Sequence, residues 1–184
     1  MRTVVLRIVA VALLLALMSV AVLASRLLQR IPDMMVYMVV DNGVTFTLEA
    51  VPRRLSAGAS SAAGATGDVR SRVSAQVEAL VRGPTAEESS RGLSSAVPSG
   101  VRVLDAHLDG GVLQVDLSSD FERGGGTASM IGRLNQLYYT LSQPSDVDVV
   151  VLELEGEVVE VFGGEGIMLD VPWVRMRNRE LPVW

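Results

Sequence analysis

The stretch from Leu80 to Phe121 decides the fold of this chain. It reads LVRGPT over residues 80–85, GLSSAVPSG over residues 92–100 and DGGVLQVDLSSDF over residues 109–121. Gly83 and Pro84 mark a helix end, since glycine adopts positive φ and proline cannot continue the helix. Gly110-Gly111 in the last segment lies between two apolar runs, residues 101–108 and 112–117. The second run alternates apolar and polar residues as a half-buried strand does. A helix followed by a β-hairpin is therefore predicted.

Two helices are predicted around this stretch from apolar residues at helical spacing. The first spans residues 69–82 with Asp68 as N-cap, and Thr85 and Glu88 after it have the spacing of a capping box over a short turn. The second spans residues 127–141. The apolar stripes are Val73, Val77, Leu80 and Val81 in the first helix and Met130, Leu134, Leu137 and Leu141 in the second.

Strands fill the remaining segments in pairs. The predicted strands are residues 34–40 and 44–51 around the turn Asp41-Asn42-Gly43, 101–108 and 112–117, and 147–154 and 158–162. Two helices packed on one face of a mainly antiparallel sheet give an α+β two-layer sandwich, and residues 34–55 are expected to rejoin the main sheet. Residues 56–67, rich in serine, alanine and glycine, are predicted to be a flexible surface loop rather than a hinge.

The N-terminal segment has the composition of a membrane span. Residues 8–24 are apolar except for Ser19 and follow Arg2 and Arg7. As a helix they would extend about 26 Å, close to the hydrocarbon thickness of about 30 Å. Residues 1–30 are therefore predicted to be a transmembrane signal anchor. Two arginines flank the apolar run on each side, Arg2 and Arg7 before it and Arg26 and Arg30 after it, so the positive-inside count is nearly tied. The usual signal arrangement, with the N-terminus inside, places residues 31–184 as one domain on the extracytoplasmic side of the cell membrane. Cleavage near Ala24, which would release the domain, is the alternative.

Charge and composition exclude several functions. From residue 31 onward the chain has 12 basic and 21 acidic residues, a balance of −9 that disfavours nucleic-acid binding. The chain contains neither cysteine nor lysine. Disulfides, thiolate metal sites, Schiff-base lysines and a lysine-containing phosphate loop are therefore impossible.

The residues that could carry chemistry are better explained as structural. His107, the single histidine, has Asp105 two residues away but no identifiable nucleophile. A cation cluster is disfavoured for Asp116, Asp120 and Glu122, whose spacing does not match a calcium loop. The sequence lacks a nucleophile elbow around its Ser118-Ser119 pair, and a nucleotide-loop pattern around residues 124–126. No catalytic, cofactor-binding or metal-binding residue is therefore predicted.

The C-terminal tail leaves two interpretations open. In the first interpretation, the tail is an exposed adhesive segment formed by Trp173, Met176 and Trp184. In the other, Trp173 and Met176 cover the core while the last residues fray.

The ordered segments resemble the GerM domain of bacterial sporulation and spore germination. The resemblance rests on the three motifs quoted above, on QLYYTL over residues 136–141, and on Glu155-Gly156-Glu157 and residues 163–166, all within about residues 34–175. It implies an extracytoplasmic, membrane-tethered α+β domain, similar to ring-building domains of secretion-type assemblies, with no catalytic residues or cofactor. The chain departs from the family pattern in the insertion at residues 56–67, the missing lipoprotein cysteine and the single copy of the domain.

The function expected from this reasoning is that of a structural or protein-interaction module in envelope assembly. Its partners would be the membrane and unidentified envelope proteins, with self-association left open. The first alternative is an enzyme acting on cell-wall polymers, with Asp116 and Asp120 as acid and base. The second is a small-ligand binder, which requires a sizeable apolar pocket.

Overall fold

The computed structural model describes residues 13, 16–21, 34–54, 68–164, 166–169 and 173–174. The chain divides into two compact units, Met1–Pro32 and Asp33–Trp184. In the first unit, Leu13 and residues 16–21 are helical. Among the described residues, no helix is long and apolar enough to cross a bilayer. The rest of the predicted anchor and the predicted loop at residues 56–67 lie outside the described residues.

The helices and strands of the second unit follow the predicted order. The helices are α1 Val69–Arg82, α2 Ala86–Ser90 and α3 Thr127–Leu141, and a 3-10 helix spans Ser119–Glu122. The longer strands are β1 Met34–Asp41, β2 Phe46–Arg53, β4 Val103–Asp109, β5 Val112–Leu117 and β6 Val149–Leu154. The two-residue strands are β3 Leu93–Ser94, β7 Glu157–Val158, β8 Val161–Phe162, β9 Ile167–Met168 and β10 Trp173–Val174.

The strands form two sheets and a small separate ladder. The first sheet has the order β2-β1-β3, and the second has the order β10-β6-β5-β4 with β7 also paired to β6. Strands β8 and β9 pair with each other. Only β5 and β6 run parallel among the described pairs; the others are antiparallel. The α+β class is confirmed. The prediction that residues 34–55 rejoin the main sheet is wrong, because they pair with β3 in a sheet of their own.

Helix α3 explains why β1 does not pair with a strand of the second sheet. β3 pairs with β1 only at Val39 and Val40. Earlier in the strand, the Tyr37 amide donates to the Thr140 hydroxyl at 3.1 Å, and the Tyr37 carbonyl accepts from the Gln136 side chain at 2.9 Å. The Gln143 side chain donates to the Met35 carbonyl at 2.7 Å. These backbone groups are already bonded, so no further strand can pair there.

The hairpins differ from expectation at two points. The segment predicted as one strand over residues 158–162 is divided into β7, which pairs with β6, and β8, which pairs with β9. Strand β2 passes through Pro52 to Arg53, although we expected proline to end it at Val51. Proline lacks only the amide proton, and β2 is the outer strand of its sheet, where that loss is tolerated. In the β4–β5 hairpin, Gly110 and Gly111 have φ of 54° and 85°, the positive values that a tight two-residue turn requires.

One continuous core joins the sheets and helices. Val36 and Met38 of β1 contribute, as do Val73, Val77 and Leu80 of α1 and Leu113, Val115 and Leu117 of β5. The α3 stripe of Met130, Leu134, Leu137 and Leu141 is buried in the same cluster, with Tyr138 beside it. The predicted core faces of both helices and of β5 are therefore confirmed.

The LVRGPT motif builds a junction between α1, α2 and β2. Gly83 has a φ of 73° at the end of α1, and the Thr85–Glu88 capping box opens α2 as predicted. Arg53 of β2 donates to both Glu88 carboxylate oxygens, at 2.7 and 2.6 Å. The Arg53 guanidinium, followed by the hydrogen bonds from Thr85, lowers the pKa of Glu88 from 4.5 to about 2. A short motif thus fixes the far end of the first sheet.

Replacing Leu117 or Leu137 with alanine should destabilise the domain. Both side chains are fully buried, so either change should lower the free energy of unfolding by about 2–5 kcal/mol. Chemical denaturation followed by circular dichroism measures the loss. The matched control is Val44→Ala, whose side chain is 90% exposed and should change stability by less than about 0.5 kcal/mol. Equal losses at the three positions would contradict the core assignment.

Glu88→Gln should reduce stability in a pH-dependent way. The carboxylate has a lowered pKa in the folded state, so its contribution is complete above about pH 4.5 and disappears as the pH falls toward 2. At pH 7 the variant should be less stable by about 1–3 kcal/mol, and the gap should close at low pH. Denaturation curves between pH 2.5 and 7 test this. Glu49→Gln, which breaks the more exposed pair with Arg91, is the control; a pH-independent gap at Glu88 would refute the assignment.

Candidate functional site

A cleft of about 560 Å³ opens between the first sheet and the start of α3. Val39 and Phe46 of the β1–β2 hairpin line it on one side. Residues 94–96 form a second side, and residues 126–129 with Gly132 form the third. The volume lies within the range of about 300–1,000 Å³ that is typical of ligand pockets. We treat this cleft as the candidate site.

The cleft lies on the face of the first sheet that points away from the main core. Val36 and Met38 of β1 face the main core, so the alternation along the strand places Tyr37 and Val39 on the opposite face. A second apolar cluster covers this face: Tyr37, Val39 and Leu48, with Phe46, Ala50, Ala96 and Tyr139 packed against them. This cluster provides the apolar side of the cleft.

Three tyrosines lie together in this region. The rings of Tyr37 and Tyr139 are 5.5 Å apart, and those of Tyr138 and Tyr139 are 5.2 Å apart. Burial, and then the neighbouring Tyr138 and Tyr37, raise the pKa of Tyr139 above its ordinary value. Its phenol therefore stays protonated at neutral pH and adds no charge beside the cleft.

Side chains of α3 hold the cleft wall at Ala96. The Ala96 amide donates to the Gln136 side-chain oxygen at 2.7 Å, and the Ala96 carbonyl accepts from Arg133 Nε at 3.0 Å. Gln136 also donates to the Tyr37 carbonyl. One buried glutamine therefore ties the wall to the sheet, and both polar backbone groups of Ala96 are bonded to the same helix.

Arg133 was missed by sequence reasoning. Its side chain is 2% exposed, and it also donates to the carbonyls of Phe121 and Gly124, the latter at 3.0 Å. Its guanidinium carbon lies 5.9 Å from the centre of the Phe121 ring, and burial lowers its pKa. The available signal was its position three residues after Met130 and four before Leu137, on the buried side of the helix. The 124–126 glycines thus include a carbonyl acceptor for this arginine.

The lining of the cleft suits recognition rather than proton transfer. Its ten residues are apolar, glycine, serine or threonine, and none has a side chain that titrates near neutral pH. Hydroxyl groups can donate and accept hydrogen bonds. A general acid or base would have to come from outside the lining. The cleft can therefore hold an uncharged, partly apolar group and bond to its polar atoms.

The other residues singled out from the sequence lie elsewhere. His107 and Asp105 are exposed on β4, and Asp105 lies 3.9 Å from Arg70. Asp116 accepts from the Gly156 amide at 3.0 Å, and Glu122 accepts from the Gly163 amide at 2.9 Å.

Asp120 and Ser118 have structural partners as well. The Asp120 carboxylate pairs with Arg123 at 2.7 Å. The Ser118 hydroxyl accepts from the Arg102 amide at 3.1 Å. Across the described ranges, no three acidic or histidine side chains are grouped to hold a metal ion. Trp173 lies on β10 opposite Val150, whereas Met176 and Trp184 fall outside the described residues, so both interpretations of the tail stand.

Comparison with known families identifies the class of this protein. The sequence profile of the Germane family, described as sporulation and spore germination, matches residues 35–160, which is more than half of the chain. The chain belongs to this family, and the resemblance drawn from its motifs is confirmed. The comparison with curated proteins gave no match.

Solved structures share the fold. The tandem GerMN domains of the sporulation protein GerM from Bacillus subtilis align with a TM-score of 0.59 and 19% identity, over 78% of this chain and 45% of that one. This chain therefore spans less than half of the tandem protein. The first GerMN domain of the same protein aligns with a TM-score of 0.58 and 19% identity, over 77% of this chain and 96% of that one. At this identity, the likeness concerns the fold.

Proposed function

We propose that the chain is a membrane-anchored, extracytoplasmic protein-interaction domain that acts in assembly of the bacterial cell envelope. The N-terminal segment holds the domain at the membrane, and the cleft beside α3 recruits a protein partner. The domain acts by concentrating its partner at the membrane surface and does not change it chemically.

The neutral cleft is the observation that supports binding most directly. It is concave, has an apolar side formed by Val39 and Phe46, and offers serine and threonine hydroxyls without a titratable side chain. Its wall at Ala96 is fixed by two buried side chains of α3, which reduces the ordering cost when a partner docks. An apolar side chain of a partner, flanked by uncharged backbone, has the matching chemistry.

The apolar run at residues 8–24 supports the anchor. Its length approaches a bilayer span, and Arg2 and Arg7 precede it. The motif resemblance implies a role at the envelope, and the matching family is described as sporulation and spore germination.

Two substitutions in the same segment test the binding role of the cleft. Ser94 lines the cleft, whereas Ser99 is exposed outside its lining. Ser94→Trp should fill the cleft and abolish complementation of a deletion strain, and Ser99→Trp should complement like the parent chain. A photo-crosslinking amino acid at position 94 should yield a protein adduct that the same probe at position 99 does not. Full complementation by correctly folded Ser94→Trp would refute the cleft as the binding site.

The anchor is tested separately in the same cells. The full chain should fractionate with membranes, resist carbonate extraction and be digested by protease added outside the cytoplasmic membrane. A chain lacking residues 8–24 should lose membrane association. Recovery of the full chain in the cytosol, or protection of the domain from external protease, would contradict the proposed topology whatever the cleft variants show.

A further inference from the structure

Strand β4 forms the outer edge of the second sheet. It pairs with β5 on one side, and no other strand of the described residues pairs with it. The edge of a sheet presents backbone amides and carbonyls to which an extended chain can add as a further strand. None of the ten residues that line the cleft belongs to β4, so this edge is separate from the cleft.

Two residues of β4 direct their backbone groups toward the outer edge. Asp109 and Val112 flank the two-residue turn and form a hydrogen-bonded pair, and such pairs recur at every second residue of the hairpin. Ala106 and Leu108 therefore turn their amides and carbonyls away from β5. No turn or loop within the described ranges bonds to them. Both residues are partly exposed, so the edge offers two amides and two carbonyls.

The side chains of β4 give the edge two different faces. Asp105, His107 and Asp109 are exposed, whereas Ala106 and Leu108 between them are half-buried and pack against the core. A strand added to this edge would continue the same alternation. Its side chains on the core side would have to be apolar, and those on the exposed side would lie beside carboxylates.

The negative charge on the exposed face is poorly balanced. Asp105 is directly opposite Asp116, and Asp116 is directly opposite Glu153 of β6. Like charges in opposite positions destabilise a sheet. Among the salt bridges of the described ranges, only Arg70 reaches one of these carboxylates, at 3.9 Å from Asp105. Both side chains of that pair are more than half exposed, so the pair is weak. Positive side chains on an added strand would reduce the repulsion.

We propose that β4 binds, as an added strand, an extended segment of another protein in which basic and apolar residues alternate. The basic side chains lie beside Asp105 and Asp109, and the apolar side chains extend the core beside Leu108. Backbone hydrogen bonds supply affinity, and the carboxylates select the partner. A second copy of β4 is a poor match, because antiparallel pairing centred on His107 sets Asp105 against Asp109. This contact stands independently of the partner proposed for the cleft.

Peptide binding to the full-length chain in a nonionic detergent tests the proposal. The probe is the fluorescent heptapeptide Thr-Arg-Val-Arg-Val-Arg-Thr with blocked termini, and fluorescence anisotropy measures its affinity. A peptide of the same composition with its three arginines consecutive has the same charge without the alternation, and it should bind at least tenfold more weakly. Binding of the probe should weaken as salt is added.

Two N-methylated forms of the probe distinguish an added strand from charge attraction alone. One form is methylated at the arginine amides and the other at the valine amides. An added strand turns alternate amides toward β4, so one form should lose binding and the other should retain it.

Substitutions in the full-length chain locate the binding site. Asp105→Asn with Asp109→Asn should weaken probe binding at least tenfold. The matched control is Glu78→Gln with Glu87→Gln, which removes the same charge from exposed helix positions and should leave binding unchanged. Ala106→Pro removes one outward amide, which an outer strand tolerates, and should weaken binding, whereas Ala106→Val keeps the amide and should bind like the parent. Circular dichroism checks the fold of each variant.

Several results would overturn the proposal. They are no binding of the probe, equal affinity for the alternating and consecutive peptides, loss of binding with both N-methylated forms or with neither, and unchanged binding by the double aspartate variant. If Ala106→Pro does not fold, these other measurements decide. Residues 174–179 of this chain also place arginine at every second position. Binding that appears only after Arg175, Arg177 and Arg179 are replaced with glutamine would make the chain's own segment the occupant and would refute a separate partner.

Discussion

Helix α3 takes the place of a strand at the edge of β1, and the rest of the domain depends on this substitution. The amide and carbonyl of Tyr37 bond to Thr140 and Gln136 of the helix, and the carbonyl of Met35 bonds to Gln143, two residues beyond the end of the helix. Backbone groups at a buried strand edge must find partners, and here side chains supply them. The first sheet therefore stops at a helix, and the helix is fixed in position along the strand.

The same helix defines the cleft. Gln136 bonds to the sheet at Tyr37 and to the cleft wall at Ala96, while Arg133 bonds to the other side of Ala96 and to Phe121. On its apolar face, Leu137 and Leu141 are fully buried in the core. Core, sheet edge and cleft are consequently positioned by one rigid element, which is the arrangement expected of a preformed binding site.

Much of the fold could be predicted because local signals agreed with tertiary structure. The stripe from Met130 to Leu141, the Thr85–Glu88 capping box and the Gly110-Gly111 hairpin each carry a signal within a few residues. The division into two sheets could not be predicted, because it depends on bonds between residues about a hundred positions apart, as between Tyr37 and Gln136. The spacing of apolar residues along the sequence gives no information about such a long-range contact.

The cleft was beyond sequence reasoning for a related reason. Ser94, Ser95 and Ala96 are small residues in a segment without regular periodicity, and nothing local indicates that they face Val39 and Phe46 across a cavity. Gln136 and Arg133 are polar residues on the buried side of an apolar helix, and they were the available signal. Buried polar side chains usually have specific hydrogen-bond partners, so their presence indicates that the helix is held in a single position.

Amide hydrogen exchange in Thr140→Val tests the central claim most directly. The substitution keeps the side-chain shape and removes the acceptor of the Tyr37 amide. If α3 replaces a strand, protection of the Tyr37 amide should fall by about tenfold, as expected for roughly 1.4 kcal/mol lost when one buried partner is removed, while Thr47→Val on β2 leaves it unchanged. Unchanged protection at Tyr37 in a folded Thr140→Val protein would contradict the account.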